Sequence, residues 1–233
     1  MTEIAARLAA VQEAIAAAER RAGREGEVTL VAVTKTVAPE RIREAYDAGQ
    51  RVFGENRVQE GLVKIAELAP SMSDAQWHLI GHLQTNKARR AARSFSLVAS
   101  VDTVRLAEIL DDAAMQAGRV LPILLEVNVA GEASKSGFAP DAIEDTVRSL
   151  LGRRHLSLDG LMTVAPLAGD PEEVRPVFRQ LRDLRDRIRE TLPVTGFHEL
   201  SMGMTGDFPV AIEEGATMVR IGRAIFGARG ETT

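Results

Sequence analysis

Apolar positions recur at helical spacing through the first segment, where Ile4, Leu8, Val11 and Ile15 are separated by small and charged residues. Gly23 closes this predicted helix, which runs from Ile4 to Arg21. The period then changes. A β-branched run from Val28 to Thr34 ends at Lys35, and Pro39 opens a helix that ends near Gly49. The alternation repeats. Short apolar runs at 51–54, 76–80, 97–101, 121–129, 158–164, 198–201 and 218–221 predict further strands. Helical patterns follow at 58–68, at 85–93, from a cap at Asp102 to Ala117, beyond Pro140, at 172–190 and at 207–214. Gly222 opens a last helical segment.

Eight strands, each followed by a helical pattern, predict an α/β fold: a (β/α)8 TIM-type barrel with an extra N-terminal helix. The strands are mostly continuous apolar runs, as strands covered on both faces should be. An open doubly wound sheet is the competing arrangement. No glycine-rich fingerprint follows the first strand, and no composition shift divides the chain, so one domain spanning residues 1–233 is expected.

Composition narrows the function classes. With 45% hydrophobic and 27% charged residues, the chain reads as a soluble globular protein. Its formal net charge of -4 provides no global basic field for nucleic acid or an anionic membrane. Basic residues cluster at Lys87, Arg89 and Arg90 and from Arg179 to Arg189, both expected to be solvated helix faces. There is no cysteine, which excludes disulfides, thiolate metal sites and a cysteine nucleophile. Glu3, Arg7 and Glu13 interrupt the alanine-rich start, so no signal peptide is read there, and no apolar run is long enough for a bilayer. The expected location is the cytoplasm.

Barrel chemistry collects at the C-terminal ends of the strands. Lys35 ends the first strand, sharing its alternation face with Val31 and Val33, and is expected to point inward among apolar neighbours. A partly desolvated amine has a lowered pKa and can form an imine with an aldehyde. Ser201 to Gly206, after the seventh strand, offers the hydroxyls of Ser201 and Thr205 and two glycines, and leads into a helix. Gly222 stands in the same way after the eighth. Helix N-termini beside glycine turns bind phosphate, and barrels commonly place one after strands seven and eight. Once the barrel closes, that pocket neighbours the lysine, and an aldehyde-bearing phosphate cofactor, pyridoxal 5'-phosphate, would bridge them. Arg220 shares the face of Gly222. A permanent charge there would sit against the cofactor's ring nitrogen, disfavour its protonation and weaken it as an electron sink. The alternative is an arginine bridging to Glu199 or Glu126.

These residues bring the chain close to a known family. It resembles the pyridoxal phosphate homeostasis proteins of YggS/PROSC type, whose barrel is similar to the alanine racemase N-terminal domain. The resemblance rests on Val33 to Lys35, Phe53 to Glu60, Trp77 to Lys87, Val127 and Asn128 with Lys135 and Gly137, Gly160 to Met162, Leu200 to Met204, and Met218 to Gly227. It implies that Lys35 is the aldimine lysine and that Arg220 partners the ring nitrogen. It also implies that Ser201, Thr205, Arg220 and Gly222 surround the phosphate end, while Asn56 and Met202 line the pocket. Many relatives have serine where this chain has Thr205, and the hydroxyl survives.

The resemblance further implies a carrier and not an enzyme, a monomer in transient contact with apo pyridoxal-phosphate enzymes. A racemase needs a second acid/base, a tyrosine delivered by a partner subunit beside an additional β-domain. This chain ends at Thr233 without that domain, and its sole tyrosine, Tyr46, reads as packing or surface. A slow amino-acid racemase and a barrel that processes sugar phosphates through Lys35 remain the alternatives. His78 and His82 lie on a strand-to-loop segment and do not make a metal pair. His155 reads as surface and His198 as core, and no metal is expected.

Overall fold

In the computed structural model, which describes residues 2–132 and 135–227, eight parallel strands pair in sequence order and close on themselves. The strands are β1 (Thr29–Val33), β2 (Val52–Glu55), β3 (Gln76–Leu79), β4 (Leu97–Val101), β5 (Leu121–Glu126), β6 (Leu156–Met162), β7 (Glu199–Ser201) and β8 (Met218–Ile221). Around them lie α1 (Glu3–Ala22), α2 (Pro39–Asp47), α3 (Val58–Leu68), α4 (Ala88–Ser94), α5 (Val104–Gln116), α6 (Ile143–Leu150), α7 (Arg175–Thr191), α8 (Phe208–Glu213) and α9 (Arg223–Phe226). The barrel expected from the alternation is the observed fold.

Strand periodicity sorts the core into two shells. On β1, Val31 packs with Leu97, Ala99, Leu124, Met162 and Met218, which fill the barrel. Its neighbours Leu30 and Ala32 face outward into the larger core beneath the helices. Helix α1 starts with the Thr2 hydroxyl accepting from the Ala5 N–H at 3.2 Å. It buries Ile4, Leu8, Val11 and Ile15 and packs against α8, α9 and α2. Because α9 is a single turn, α1 covers the part of the barrel wall that a longer last helix would cover.

Several expected boundaries move, each for a local reason. The helix after β4 is capped by Thr103, whose hydroxyl accepts from the Leu106 N–H, and not by Asp102. Strand β5 ends at Glu126; beyond it the Val127 N–H still donates to the Met162 carbonyl, but the chain turns to pair with Phe138. Strand β6 runs Leu156–Met162, starting two residues earlier than its apolar run. The helix expected from Glu172 begins as a 3-10 turn, Pro171–Val174, before α7. The Arg179–Arg189 run is not simply solvated: Arg179 and Arg182, with Arg175, converge on the buried carboxylate of Glu214. His198 is exposed, contrary to its expected place in the core.

Candidate functional site

The C-terminal rim of the barrel is built around Arg220. It lies in the middle of β8, is 5% exposed, and donates to the Ser201 Oγ at 2.7 Å and to the Thr163 carbonyl at 2.9 Å. Burial lowers its pKa to about 10, against the opposing fields of Glu126 and Asp207, so the guanidinium stays charged at neutral pH. Burial raises the pKa values of Glu126 and Asp207 in turn. Among the described residues Arg220 forms no ion pair with Glu199 or Glu126, and Glu199 accepts from the Thr217 hydroxyl.

Lys35 differs from the sequence expectation. Strand β1 ends at Val33, and Lys35 sits beyond the ladder in a turn from Thr34 to Val37, closed by the Val37 N–H on the Thr34 carbonyl at 2.9 Å. Its side chain is exposed, where partial burial was expected. The next residue, Thr36, has φ 62°, the left-handed value that this kind of turn needs at its third position. For a β-branched residue this costs on the order of 1–3 kcal/mol. The Thr36 N–H is held by the Glu60 Oε1 at 2.6 Å.

Behind the turn lies a polar cluster that the sequence reading missed. Lys64, on α3, is buried and donates to the Thr34 carbonyl (2.6 Å), the Glu55 Oε1 (2.8 Å) and the Glu60 Oε1 (2.7 Å). The Thr34 hydroxyl also donates to the Glu55 Oε1 at 2.6 Å. Burial raises the Glu55 pKa despite these bonds. Burial also opposes ionisation of Glu60, but the bonds from Lys64 and the Thr36 N–H outweigh it and hold its carboxyl below the usual range. The i, i+4 spacing of Glu60 and Lys64 was the available signal.

At the end of β7, Ser201 is buried and its Oγ accepts from Arg220, which leaves its own O–H free to donate. The Met202 side chain packs into the outer core, so its backbone is the part nearest the rim. Gly203 has φ 94°, and a Cβ there would lie 2.6 Å from that of Ala211. Only glycine lets the chain turn this tightly onto α8. Half-buried Thr205 follows, in a turn closed by the Asp207 N–H on the Met204 carbonyl at 3.1 Å. Gly222 approaches β1 closely, since a Cβ there would meet the Val33 carbonyl at 3.2 Å. It precedes α9, whose intrahelical bonds begin with the Ile225 N–H, as expected for a first turn with free N–H groups.

Asn56, after β2, carries a buried Oδ1 without a partner among the described residues, as does Asn128 after β5. An orphaned buried acceptor calls for a ligand or water. A buried cation, free hydroxyls, glycine-lined turns and an accessible amine fit a cofactor that carries both phosphate and aldehyde. Elsewhere on the rim, His82 contacts Asp102 at 2.9 Å. His78, inside the wall, is buried and its pKa falls to about 4 through desolvation. Tyr46 lies at the other end of the barrel, bonded to Asp74 and stacked under Arg51 at 4.1 Å. Among the described residues no group of three or more His, Cys, Asp or Glu could hold a metal, and no helix is long and apolar enough to cross a membrane.

This fold and rim define a barrel of the alanine racemase N-terminal domain type, and that family matches residues 6–230. The pyridoxal phosphate homeostasis protein of Aquifex aeolicus is 46% identical over 96% of this chain and 97% of its own length. That of Escherichia coli is 40% identical over 98% of both. The chain belongs to the pyridoxal phosphate homeostasis protein family. PipY of Synechococcus elongatus, solved with PLP bound, superposes with a TM-score of 0.85 at 39% identity, covering 97% of this chain and all of that one. Alanine racemase of Clostridium difficile shares the fold, with a TM-score of 0.74 at 14% identity over 97% of this chain and 56% of its own.

Proposed function

We propose that this protein binds pyridoxal 5'-phosphate and serves in cofactor homeostasis, with Lys35 supplying the amine for the aldehyde. The observation that carries the reading is the closure of β8 onto β1, which brings Arg220 and Gly222 beside the strand that leads into the Lys35 turn. PipY, 39% identical over nearly the whole chain and solved with PLP, supports it.

In this reading Arg220 faces the ring nitrogen as a permanent cation. Ser201, Thr205 and the first N–H groups of α9 hold the phosphate, and Asn56 offers its unpartnered oxygen. The cofactor supplies an electrophilic aldehyde and an electron sink. A fixed positive charge at the ring nitrogen weakens the sink, and Tyr46 sits at the far end of the barrel, so the site is suited to holding and delivering the cofactor and not to racemisation. The protein acts as a single cofactor-binding barrel, a cytoplasmic monomer that meets apo pyridoxal-phosphate enzymes transiently.

The test is an absorption spectrum of protein incubated with pyridoxal phosphate, followed by borohydride reduction and peptide mass spectrometry. A visible band and a reduced adduct on Lys35 are expected. A colourless protein with no adduct would overturn the reading and favour a sugar-phosphate barrel.

A further inference from the structure

Lysine 35 is exposed and follows the end of its strand, yet the backbone on each side of it is held from within. The Thr34 carbonyl accepts from the buried Lys64 Nζ at 2.6 Å. The Thr36 N–H donates to the Glu60 Oε1 at 2.6 Å. Those two side chains are joined to each other at 2.7 Å. All three protons of the Lys64 ammonium are used, on Thr34, Glu55 and Glu60. A direct ionic bridge therefore spans the turn in which Thr36 holds its unfavourable left-handed conformation.

We propose that Lys64 and Glu60 are positioning residues that clamp the Thr34–Thr36 backbone and so aim the Lys35 amine at the rim beside Arg220. The proposal rests on the reading of Lys35 as the cofactor amine. Neither residue needs to touch the cofactor. Glu55 serves the clamp from below, since its Oε1 receives both Lys64 and the Thr34 hydroxyl. Without the bridge, Thr36 is free to relax to negative φ by a flip of the Lys35–Thr36 peptide, which loosens the turn that carries the Lys35 side chain. The amine would remain available, but its placement would not.

The experiment uses the full chain in two measurements. Amide hydrogen exchange by NMR on cofactor-free protein reads the Thr36 N–H. Borohydride trapping of added pyridoxal phosphate, mapped by peptide mass spectrometry, reads which lysine reacts and how fast. Lys64→Met should lower Thr36 protection about tenfold, the loss expected for one released hydrogen bond. It should also slow trapping at Lys35 and spread the label over other lysines, while thermal unfolding stays cooperative. Glu60 is half-exposed at the start of α3, so Glu60→Ala tests the same clamp even if the lysine variant fails to fold. Glu60→Gln, which keeps an acceptor for Thr36, should restore most of the protection. Unchanged Thr36 protection and unchanged Lys35 labelling in the folded variants would overturn the clamp. If wild-type protein is not labelled at Lys35 but Thr36 protection still depends on Lys64 and Glu60, the clamp stands and the cofactor reading falls.

Discussion

Val31 on β1 and Arg220 on β8 are register partners across the seam where the barrel closes. Both face inward. The seam places a buried guanidinium from the last strand at the level of Val31, four residues before Lys35.

Replacing Lys35 with alanine should abolish the visible band and the reduced adduct at that position. The side chain is exposed and makes no contact that the fold depends on, so stability should change by no more than about 0.5 kcal/mol. Chemical denaturation and a spectrum after borohydride treatment and dialysis check both halves. A full-strength band in the variant would reassign the linkage.

The phosphate end is addressed by Ser201→Ala with Thr205→Ala. Each hydroxyl lost to a charged oxygen should cost about 1.5–3 kcal/mol of cofactor affinity. The two effects should not add, because Ser201 also receives Arg220, and its removal frees one guanidinium donor. Competition dialysis measures the change. Unaltered affinity would mean that backbone donors alone carry the phosphate.

Arg220 is expected to make the protein a poor racemase. Wild-type protein should exchange the α-proton of alanine slowly in deuterated solvent, and turnover on the order of 1–1000 per second, typical of enzymes, would refute the carrier reading. Its charge also lowers the pKa values of Glu126 and Asp207 against the effect of burial. Arg220→Gln should therefore raise both carboxyls further, which an NMR titration of the side chains can follow.

His78 gives the fold a pH dependence of known sign. Its folded pKa, about 4, lies below the ordinary value of 6.5, so the folded state favours the neutral ring. The associated stability is present above about pH 6.5 and is lost as pH falls towards 4, by about 3 kcal/mol. Urea denaturation at pH 7 and pH 4 should show this loss in wild-type protein and a smaller one in His78→Asn. An identical loss in both would assign the acid sensitivity to other groups.

Much of the rim could be read from local spacing. Arg220 stands two residues before Gly222, and Ser201 and Thr205 flank a glycine turn, so their shared position follows from strand alternation and turn chemistry. The exposure of Lys35 could not be read this way. Strand β1 ends where the Thr34 carbonyl is taken by Lys64, a partner thirty residues away. Met202 was assigned to the pocket, but alternation after the inward-facing Ser201 sends its side chain into the outer core. The cap at Asp102 moved one residue because Thr103 has the hydroxyl in reach of Leu106.

By itself the sequence determined the order and number of strands, because a period of two or 3.6 residues is a local property of the chain. It also determined which residue types stand at strand ends. The tertiary structure decided which strand closes on which, how deeply Arg220 is buried, and that three arginines gather on Glu214. It alone set the Lys64–Glu60 pair, local to one helix, against the Thr34 carbonyl and the Thr36 N–H of the Lys35 turn. Those outcomes depend on burial and on contacts between distant segments, where an ammonium withdrawn from water must find every acceptor it needs.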